Sequence, residues 1–144
     1  MPACESMTYL VDSDYVVDYL KGRSPAPELL DRLFSAGLAM SIITFAEVYE
    51  GIYYGYQPEH YTAIFRRFLQ GVSVLGMSRP IARQFALVRG QLRATPQGKN
   101  LVNPKDNYDL FIAATALHHR LILVTRNLKD YDHIPDLKCY PPAT

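Results

Sequence analysis

Short apolar runs alternate with amphipathic segments along this chain of 144 residues. The apolar runs are rich in β-branched and aromatic residues and predict strands at 8–12, 38–43, 72–77, 121–125 and 137–140. Apolar residues at helical spacing predict helices near 16–20 and at 28–36, 45–54, 60–70, 78–93 and 106–119, with a loop at 94–105. Strands that alternate with helices are typical of a parallel sheet covered on both faces. We therefore predict an α/β fold of three layers, α/β/α, around a central parallel sheet of four to five strands.

The composition is that of an ordinary soluble protein. The chain is 49% hydrophobic and 20% charged, without a repeat or a domain-length linker, so residues 1–144 are predicted to form a single domain. The two cysteines, Cys4 and Cys139, lack a Cys-x-x-Cys spacing and are expected to be reduced thiols of a cytoplasmic protein. No apolar run approaches the roughly 18 residues of a membrane span. Membrane insertion and export are therefore not expected.

The net charge of +1 conceals an uneven distribution. Residues 1–59 hold nine acids and three bases (−6), residues 60–105 hold eight bases and no acid (+8), and residues 106–144 hold four bases and five acids (−1). A near-neutral total argues against a protein that coats nucleic acid by charge alone. The acid-free segment predicts either a surface for an anionic partner or a face that compensates acidic segments of the same fold.

Polar side chains gather where the predicted strands end or the neighbouring helices begin, which is where polar sites form in parallel sheets. They are Asp12, Asp14, Glu47, Asp109, Asn127 and Asp130. Because crowded carboxylates repel one another, their convergence in one cleft predicts a divalent cation, Mg²⁺ or Mn²⁺. Asp12 is the strongest candidate, since an aspartate that closes a buried strand is costly unless it is paired or bound to metal.

Two of these acids also have a purely structural interpretation. The segment Thr44-Phe45-Ala46-Glu47 fits a capping box, with Thr44 as the helix N-cap and Glu47 three positions later. Asp106 is likewise a candidate N-cap, and the helix dipole favours an acid such as Asp109 in the first turn. Helix capping and metal binding both remain open for Glu47 and Asp109 on this reasoning.

Four segments occur in a characteristic order: LVDSD, SIITFAEVYEG, NYDLFIAATAL and LILVTRNLKDYDHIPDLK. In this order and spacing the chain resembles the PIN-domain ribonucleases, specifically the VapC-type toxins of bacterial and archaeal toxin–antitoxin pairs. The resemblance implies a metal-dependent endoribonuclease that cleaves RNA with a metal-activated water, leaves a 5′-phosphate, forms a homodimer and pairs with an antitoxin protein. Met7 lies where such toxins often start, so residues 1–6 are interpreted as a disordered extension or a misassigned start.

The resemblance also assigns residues to the site. Three acids hold one or two divalent metals in that family, a fourth polar position completes the set, and small hydroxyl residues line it. These positions match Asp12, Glu47 and Asp109, then Asn127, then Ser13 and Thr125. The chain departs from the family pattern twice, because Asp14 stands where asparagine is common and Asn127 carries no charge. A tightly held second metal would need its missing charge from Asp14 or Asp130.

One predicted helix in the acid-free segment has an arginine face. Its arginines fall within an arc of roughly 120°, with the apolar residues opposite them. The arginines are Arg79, Arg83, Arg89 and Arg93, and the apolar residues are Ile81, Phe85, Val88 and Leu92. The guanidinium fork suits phosphate oxygens, so this face is a candidate RNA contact. The alternative is an ordinary solvated helix face.

Tyrosines Tyr49, Tyr53 and Tyr56 recur at i, i+4 and i+7 and predict one aromatic helix face. Core packing is the simpler interpretation of this face. A groove for an antitoxin helix beside Glu47 is the alternative, because tyrosine is enriched at interfaces.

Two other functions fit parts of the sequence. A haloacid-dehalogenase-like phosphatase would use Asp12 as nucleophile and Asp14 as acid and base. That family also needs a downstream lysine and an acidic pair after a strand, which LILVTRN does not supply. A PIN-like binding subunit without catalysis would retain the fold while its acids bind no metal.

Overall fold

The structure is a computed structural model that describes residues 7–94 and 107–140. The predicted extension at 1–6, Cys4, all but the first residue of the loop predicted at 94–105, and the candidate cap Asp106 lie outside the described residues. Cys139 is a half-buried free thiol.

Five parallel strands form one sheet, as predicted: β1 (Tyr9–Val11), β2 (Leu38–Ser41), β3 (Val72–Leu75), β4 (Ile122–Val124) and β5 (Cys139–Tyr140). Their order across the sheet is β3-β2-β1-β4-β5. The chain therefore builds outward from β1 to β3 and then crosses to the other side of β1 for β4. In parallel sheets a crevice opens at the carboxyl ends of the two strands where this reversal occurs. Here those strands are β1 and β4, which end at Val11 and Val124.

In the part of the chain that the structure describes, six helices cover the two faces of the sheet: α1 (Ser13–Leu20), α2 (Ala26–Leu33), α3 (Ile42–Tyr53), α4 (Pro58–Leu69), α5 (Arg79–Arg93) and α6 (Asn107–His119). Short 3-10 turns lie at Phe34–Ala36 and Leu128–Asp130. Successive strand residues alternate between the faces. Val11 and Met40 pack with α1 to α4 in one core, whereas Leu10 and Leu123 pack with α5 and α6 in the other. The predicted three-layer architecture is confirmed. Among the described residues, no helix has the length and apolarity needed to cross a bilayer.

The boundary between β2 and α3 differs from the prediction. The strand ends at Ser41 rather than at 43, because the Ser41 hydroxyl caps the helix by accepting a hydrogen bond from the Ile43 N–H at 3.0 Å. Thr44 is consequently inside the first turn, fully buried, and its hydroxyl has no hydrogen-bond partner within the described ranges. The capping-box interpretation of Thr44 and Glu47 is therefore wrong, and helix capping does not explain Glu47.

The edge of the sheet also departs from expectation. A sheet covered on both faces predicts buried strands, yet Ser73 and Val74 of β3 are exposed. Strand β3 is the last strand on its side, where fewer neighbours cover it. The site at the centre of the sheet is unaffected by this difference.

Candidate active site

Asp12 stands directly after β1 and is 5% exposed. Its backbone N–H donates to the Val124 carbonyl at 2.9 Å, which joins the ends of β1 and β4. Its carboxylate caps α1, because Oδ1 accepts from the Ser13 N–H at 2.8 Å. Burial raises the pKa of this carboxyl above its usual range, and the charge of Asp109 adds to the rise. The sheet thus places a poorly solvated carboxylate at the crevice predicted by the strand order.

The hydroxyl of Tyr131 lies between the carboxylates of Asp12 and Asp109. Its oxygen is 3.1 Å from Asp12 Oδ2 and 3.2 Å from Asp109 Oδ1. Tyr131 comes directly after the second 3-10 turn. Its side chain is only 1% exposed, so the hydroxyl lies between the two carboxylates inside the protein. Burial and the two carboxylates raise the pKa of the phenol far above its usual range, so it is a neutral hydrogen-bond donor. Sequence reasoning missed Tyr131, which has the appearance of a core aromatic residue in the pattern.

Glu47 faces the same two aspartates from α3. Its Oε1 atom is buried and has no hydrogen-bond partner in the part of the chain that the structure describes. Burial raises the pKa of Glu47 to about 7, with smaller contributions from the charges of Asp12 and Asp109. A hydrogen bond from Ser13 acts in the opposite direction and lowers this pKa. We call Asp12, Glu47, Asp109 and Tyr131 the acidic cleft.

The acidic cleft fits a hard divalent cation in its donor chemistry. Its three carboxyl groups supply the oxygen ligands that Mg²⁺ and Mn²⁺ prefer. The buried Oε1 of Glu47 has no hydrogen-bond partner among the described residues and is therefore available as a ligand for such a cation. Among residues 7–94 and 107–140, however, no three His, Cys, Asp or Glu side chains stand in an arrangement that could hold a metal ion without some rearrangement. The carboxylates of Asp12 and Asp109 are joined through Tyr131 instead.

Asp14 lies beside the acidic cleft but is occupied by hydrogen bonds. Its Oδ2 accepts from the Asn127 side-chain Nδ2 at 3.0 Å and from the Arg126 backbone N–H at 3.1 Å, while Oδ1 accepts from the Tyr15 N–H. Burial and the charge of Asp12 raise its pKa to about 6. These contacts tie the start of α1 to the segment after β4. Asp130, the other candidate for extra charge, is exposed in the 3-10 turn.

Thr125 connects Asp12 to this second group of contacts. Its hydroxyl donates to Asp12 Oδ2 at 2.9 Å, and the same oxygen accepts from the Asn127 N–H at 3.1 Å. Thr125 is fully buried after β4. The predicted neighbours Ser13, Thr125 and Asn127 are therefore brought to the edge of the acidic cleft.

Asp18 offers a contrast one turn further along α1. It is 4% exposed, and its carboxylate lies 3.1 Å from the Arg126 guanidinium and 3.6 Å from that of Arg23. Sequence reasoning missed this ion pair. Within the described residues, Asp12 and Glu47 have only neutral donors and no such cationic partner. The protein neutralises Asp18 with arginine, whereas no arginine or lysine within the described ranges forms an ion pair with Asp12 or Glu47.

Helix α5 presents the predicted arginine face, which we call the basic face. Arg79, Arg83 and Arg93 are exposed, while the opposite side of the helix is buried at Ile81, Val88 and Leu92. Phe85 stacks on Phe111 of α6 with 3.8 Å between ring centroids. Arg89 is half-buried and its Nε donates to Asn107 Oδ1 at 3.4 Å. Asn107 begins α6, two residues before Asp109, so the basic face adjoins the acidic cleft.

The predicted tyrosine face is shorter than expected. Helix α3 ends at Tyr53, so Tyr56 lies beyond it and does not continue the face. Tyr49 packs against Phe65 with ring centroids 5.1 Å apart, as core packing predicts. Tyr53, Tyr54 and Tyr56 are 63%, 90% and 78% exposed. Core packing therefore accounts for Tyr49 and not for the other tyrosines.

Comparison with known proteins gives one consistent result. The model of the PIN domain family matches residues 9–137. The chain is 31% identical over 134 residues to Ribonuclease VapC2 from Haemophilus influenzae, which covers 92% of this chain and 96% of that protein. The fold of this chain is similar to that in the structure of VapBC2 from Rickettsia felis bound to a DNA fragment from their promoter, with a TM-score of 0.79 and 25% identity. The match covers 92% of this chain and 97% of that one. It is also similar to a toxin–antitoxin complex from Klebsiella pneumoniae, with a TM-score of 0.67, 29% identity and coverage of 89% and 93%.

Proposed function

Because the chain belongs to the PIN domain family, we propose that it is a metal-dependent endoribonuclease and the toxin of a toxin–antitoxin pair. The relative in Haemophilus influenzae is named a ribonuclease, and the structure from Klebsiella pneumoniae is named a toxin–antitoxin complex. The observation that carries the proposal is the acidic cleft. Three carboxyl groups meet at the carboxyl ends of β1 and β4, and at least Asp12 and Glu47 have no cationic side chain against them within the described ranges.

We assign metal binding to Asp12, Glu47 and Asp109, with Mg²⁺ or Mn²⁺ as the cation. When bound, such a cation lowers the pKa of a water and offsets negative charge that develops on the phosphate under attack. The protein's part is to hold the three carboxyl groups in place before the RNA arrives. Ser13 and Thr125 do so through the hydrogen bonds that orient Asp12 and support Glu47.

Asp14 and Asn127 serve this arrangement indirectly. The Asn127 amide and the Arg126 N–H both donate to Asp14, which fixes the segment after β4 against α1. These hydrogen bonds explain the presence of an acid at position 14 without a second metal, because both carboxylate oxygens of Asp14 already accept hydrogen bonds. A single cation is the simplest occupancy of this site.

The basic face supplies a route for the RNA backbone. Its arginines project from α5, and Arg89 joins that helix to the first residue of α6 near Asp109. Guanidinium groups bind phosphate oxygens with matched geometry. RNA bound along α5 would thus deliver a phosphodiester towards the acidic cleft.

The antitoxin is proposed to bind the face formed by α1 and α3. A cavity of about 370 Å³ lies there. Its lining combines apolar and aromatic side chains with two basic ones: Val17, Leu20, Val48, Ile52, Tyr56, Tyr61, Lys21 and Arg23. Exposed tyrosines and arginines beside apolar side chains are typical of protein interfaces. The homodimer stays a prediction, which light scattering of the purified chain tests directly.

The two alternative functions predict different behaviour of the acids. A phosphatase that uses Asp14 as acid and base needs that carboxyl free to exchange a proton with substrate, whereas Asp14 is engaged by four protein donors. A binding subunit without catalysis needs no metal and predicts that substitution of the cleft acids leaves RNA intact.

The test compares the wild-type chain with Asp109→Asn on total RNA containing Mg²⁺, Mn²⁺ or EDTA, with the cut ends mapped. We expect cleavage with either metal, 5′-phosphate ends, no cleavage in EDTA and none by Asp109→Asn. Asp136→Asn is the matched control, because Asp136 is exposed and lies near the opposite end of β4. Equal cleavage by wild type and Asp109→Asn would falsify the proposal.

A further inference from the structure

Tyr131 makes a contact that its neighbours in the sequence do not explain. The side chain is 1% exposed, so its hydroxyl has no access to bulk water. The same oxygen lies within hydrogen-bond distance of a carboxylate oxygen on Asp12, 119 positions earlier, and of one on Asp109, 22 positions earlier. A buried phenol in this arrangement joins β1 to α6 through the two acids.

The chemistry of the phenol makes this bridge unusual. A phenolic hydroxyl has one hydrogen, which an ordinary phenol keeps at neutral pH. The hydrogen is therefore shared between two acceptors, and both acceptors are held against a single oxygen atom. A change in the distance between the Asp12 and Asp109 carboxylates would therefore weaken at least one of the two contacts.

Asp12 does not depend on Tyr131 for hydrogen bonding as such. Its Oδ1 accepts from the Ser13 N–H, and its Oδ2 accepts from the Thr125 hydroxyl as well as from Tyr131. Removal of the phenol would leave Asp12 with two donors. What would be lost is the link between the two carboxylates.

We propose that Tyr131 is a positioning residue of the metal centre, whose hydroxyl fixes the Asp12 and Asp109 carboxylates relative to each other and so increases the affinity of the site for a divalent cation. The inference rests on the proposed function, because it requires that these acids bind metal. Residues that hydrogen-bond to metal ligands raise metal affinity by about 10-fold to 100-fold. Tyr131→Phe keeps the ring and removes only the bridge.

The experiment is calorimetric titration of the full chain with Mn²⁺ alone, without RNA. We expect Tyr131→Phe to bind Mn²⁺ about 10-fold to 100-fold more weakly than wild type. Tyr19→Phe is the matched control, because the Tyr19 hydroxyl also donates to a carboxylate, Asp31 Oδ1 at 3.3 Å, but outside the acidic cleft. The control is expected to bind Mn²⁺ within about twofold of wild type.

The outcomes separate the two proposals. Wild-type affinity in Tyr131→Phe overturns the positioning role and leaves the metal site intact. No Mn²⁺ binding by the wild-type chain overturns the proposed function, and the positioning role with it. A reduced affinity that Tyr19→Phe shares equally also overturns the inference, since it shows a general effect of losing a tyrosine–aspartate hydrogen bond.

A second measurement uses the wild-type chain and needs no folded variant. In a sample with ¹³C-labelled tyrosine, the ring carbon that bears the hydroxyl reports on the hydrogen bonds of each phenol. We expect Mg²⁺ to shift the Tyr131 signal and to leave the Tyr19 signal unchanged. An unshifted Tyr131 signal at saturating Mg²⁺ contradicts the inference.

Discussion

The acidic cleft and the basic face carry opposite charges and are built in opposite ways. The cleft joins side chains from β1, α3, α6 and the segment after β4, through contacts between residues 113 and 119 positions apart. The basic face lies on one helix of 15 residues, and three of its four arginines project into solvent. The cleft therefore requires the whole fold, while the basic face requires only helix periodicity.

The difference has an energetic consequence. Exposed charges such as those of the basic face contribute little to stability, because water and salt screen them. Partly buried carboxylates without a cationic partner are destabilising, and their raised pKa values express that cost. We infer that neutralising Asp12 or Glu47 alters activity and metal-free stability in opposite directions, whereas substitutions on the basic face alter RNA binding alone.

Glu47→Gln gives the largest expected effect and tests the first half of this comparison. We expect RNA cleavage to fall about a thousand-fold, since loss of a metal ligand removes several kcal/mol of charge stabilisation and each tenfold corresponds to about 1.4 kcal/mol. In EDTA at pH 8 the variant is expected to unfold at a higher temperature than wild type, because a crowded carboxylate has been neutralised. Cleavage assays and thermal unfolding measure the two effects. Glu50→Gln, exposed on the same helix, is the control: cleavage should not change, and the unfolding temperature should rise far less than in Glu47→Gln, because the charge of Glu50 is the smallest cause of the raised pKa of Glu47.

Mn²⁺ should stabilise the protein more at pH 8 than at pH 5. The folded-state pKa of Glu47 is raised from 4.5 to about 7, so the folded chain holds a proton that the unfolded chain releases. The stability that this proton contributes is complete below about pH 4.5 and is lost as the pH rises through about 7. Asp14, raised to about 6, acts in the same direction.

We therefore expect the thermal unfolding midpoint of the metal-free protein to decrease when the pH is raised from 5 to 8. Mn²⁺ should restore the midpoint at pH 8, because the bound cation takes the place of the lost proton. At a hundredfold excess over its dissociation constant, Mn²⁺ should raise the midpoint at pH 8 by about 5 to 10 °C. Thermal unfolding with Mn²⁺ or EDTA at both pH values measures the difference. An equal shift at both would show that the carboxyl groups of the cleft are not the binding site.

Substitutions on the basic face test the other half. The double variant Arg83→Gln/Arg93→Gln changes two exposed arginines. We expect the affinity for RNA to fall by up to about tenfold. The slope of log affinity against log salt concentration should become shallower by about one unit for each phosphate contact that is lost. Binding assays over a series of salt concentrations measure both. Arg32→Gln on α2, which packs on the other side of the sheet, is the matched control. Binding that is unchanged at low salt would remove α5 from the RNA path.

Two single substitutions test whether Ser41 or Thr44 caps α3, and so whether Glu47 belongs to a capping box or to the acidic cleft. Ser41→Ala should lower the free energy of unfolding by about 1 kcal/mol, because Ser41 caps α3. Thr44→Val should leave stability unchanged or raise it, since the buried Thr44 hydroxyl has no partner among the described residues. Chemical denaturation measures both. The reverse ranking would restore the capping box and the structural interpretation of Glu47.

Sequence reasoning succeeded where the determining interactions are local. The buried side of α5 follows from the spacing of its apolar residues, and the helix predicted at 78–93 agrees closely with α5 at Arg79–Arg93. Strand order was not predicted, but parallel pairing followed from the alternation of strands and helices. The α3 boundary was wrong because Ile42 and Ile43 extend the apolar run, and the Ser41 hydroxyl overrides that pattern.

The candidate site could be predicted only in part from the sequence. Asp12, Glu47 and Asp109 were singled out because acids at the ends of strands and starts of helices are conspicuous, and the structure brings them close together. Their role as metal ligands stays a prediction. Tyr131 and the Asp18–Arg126 ion pair were missed, since each depends on residues more than a hundred positions apart coming together in the sheet. An aromatic residue with a buried hydroxyl has no distinguishing pattern until its partners are placed.

The most direct test of the central claim is anomalous X-ray diffraction from crystals of the full chain grown with Mn²⁺. The account predicts an anomalous peak in the acidic cleft, within metal–oxygen bonding distance of carboxylate oxygens of Asp12, Glu47 and Asp109. Absence of that peak in crystals that show Mn²⁺ elsewhere, or a peak coordinated by other residues, would contradict it.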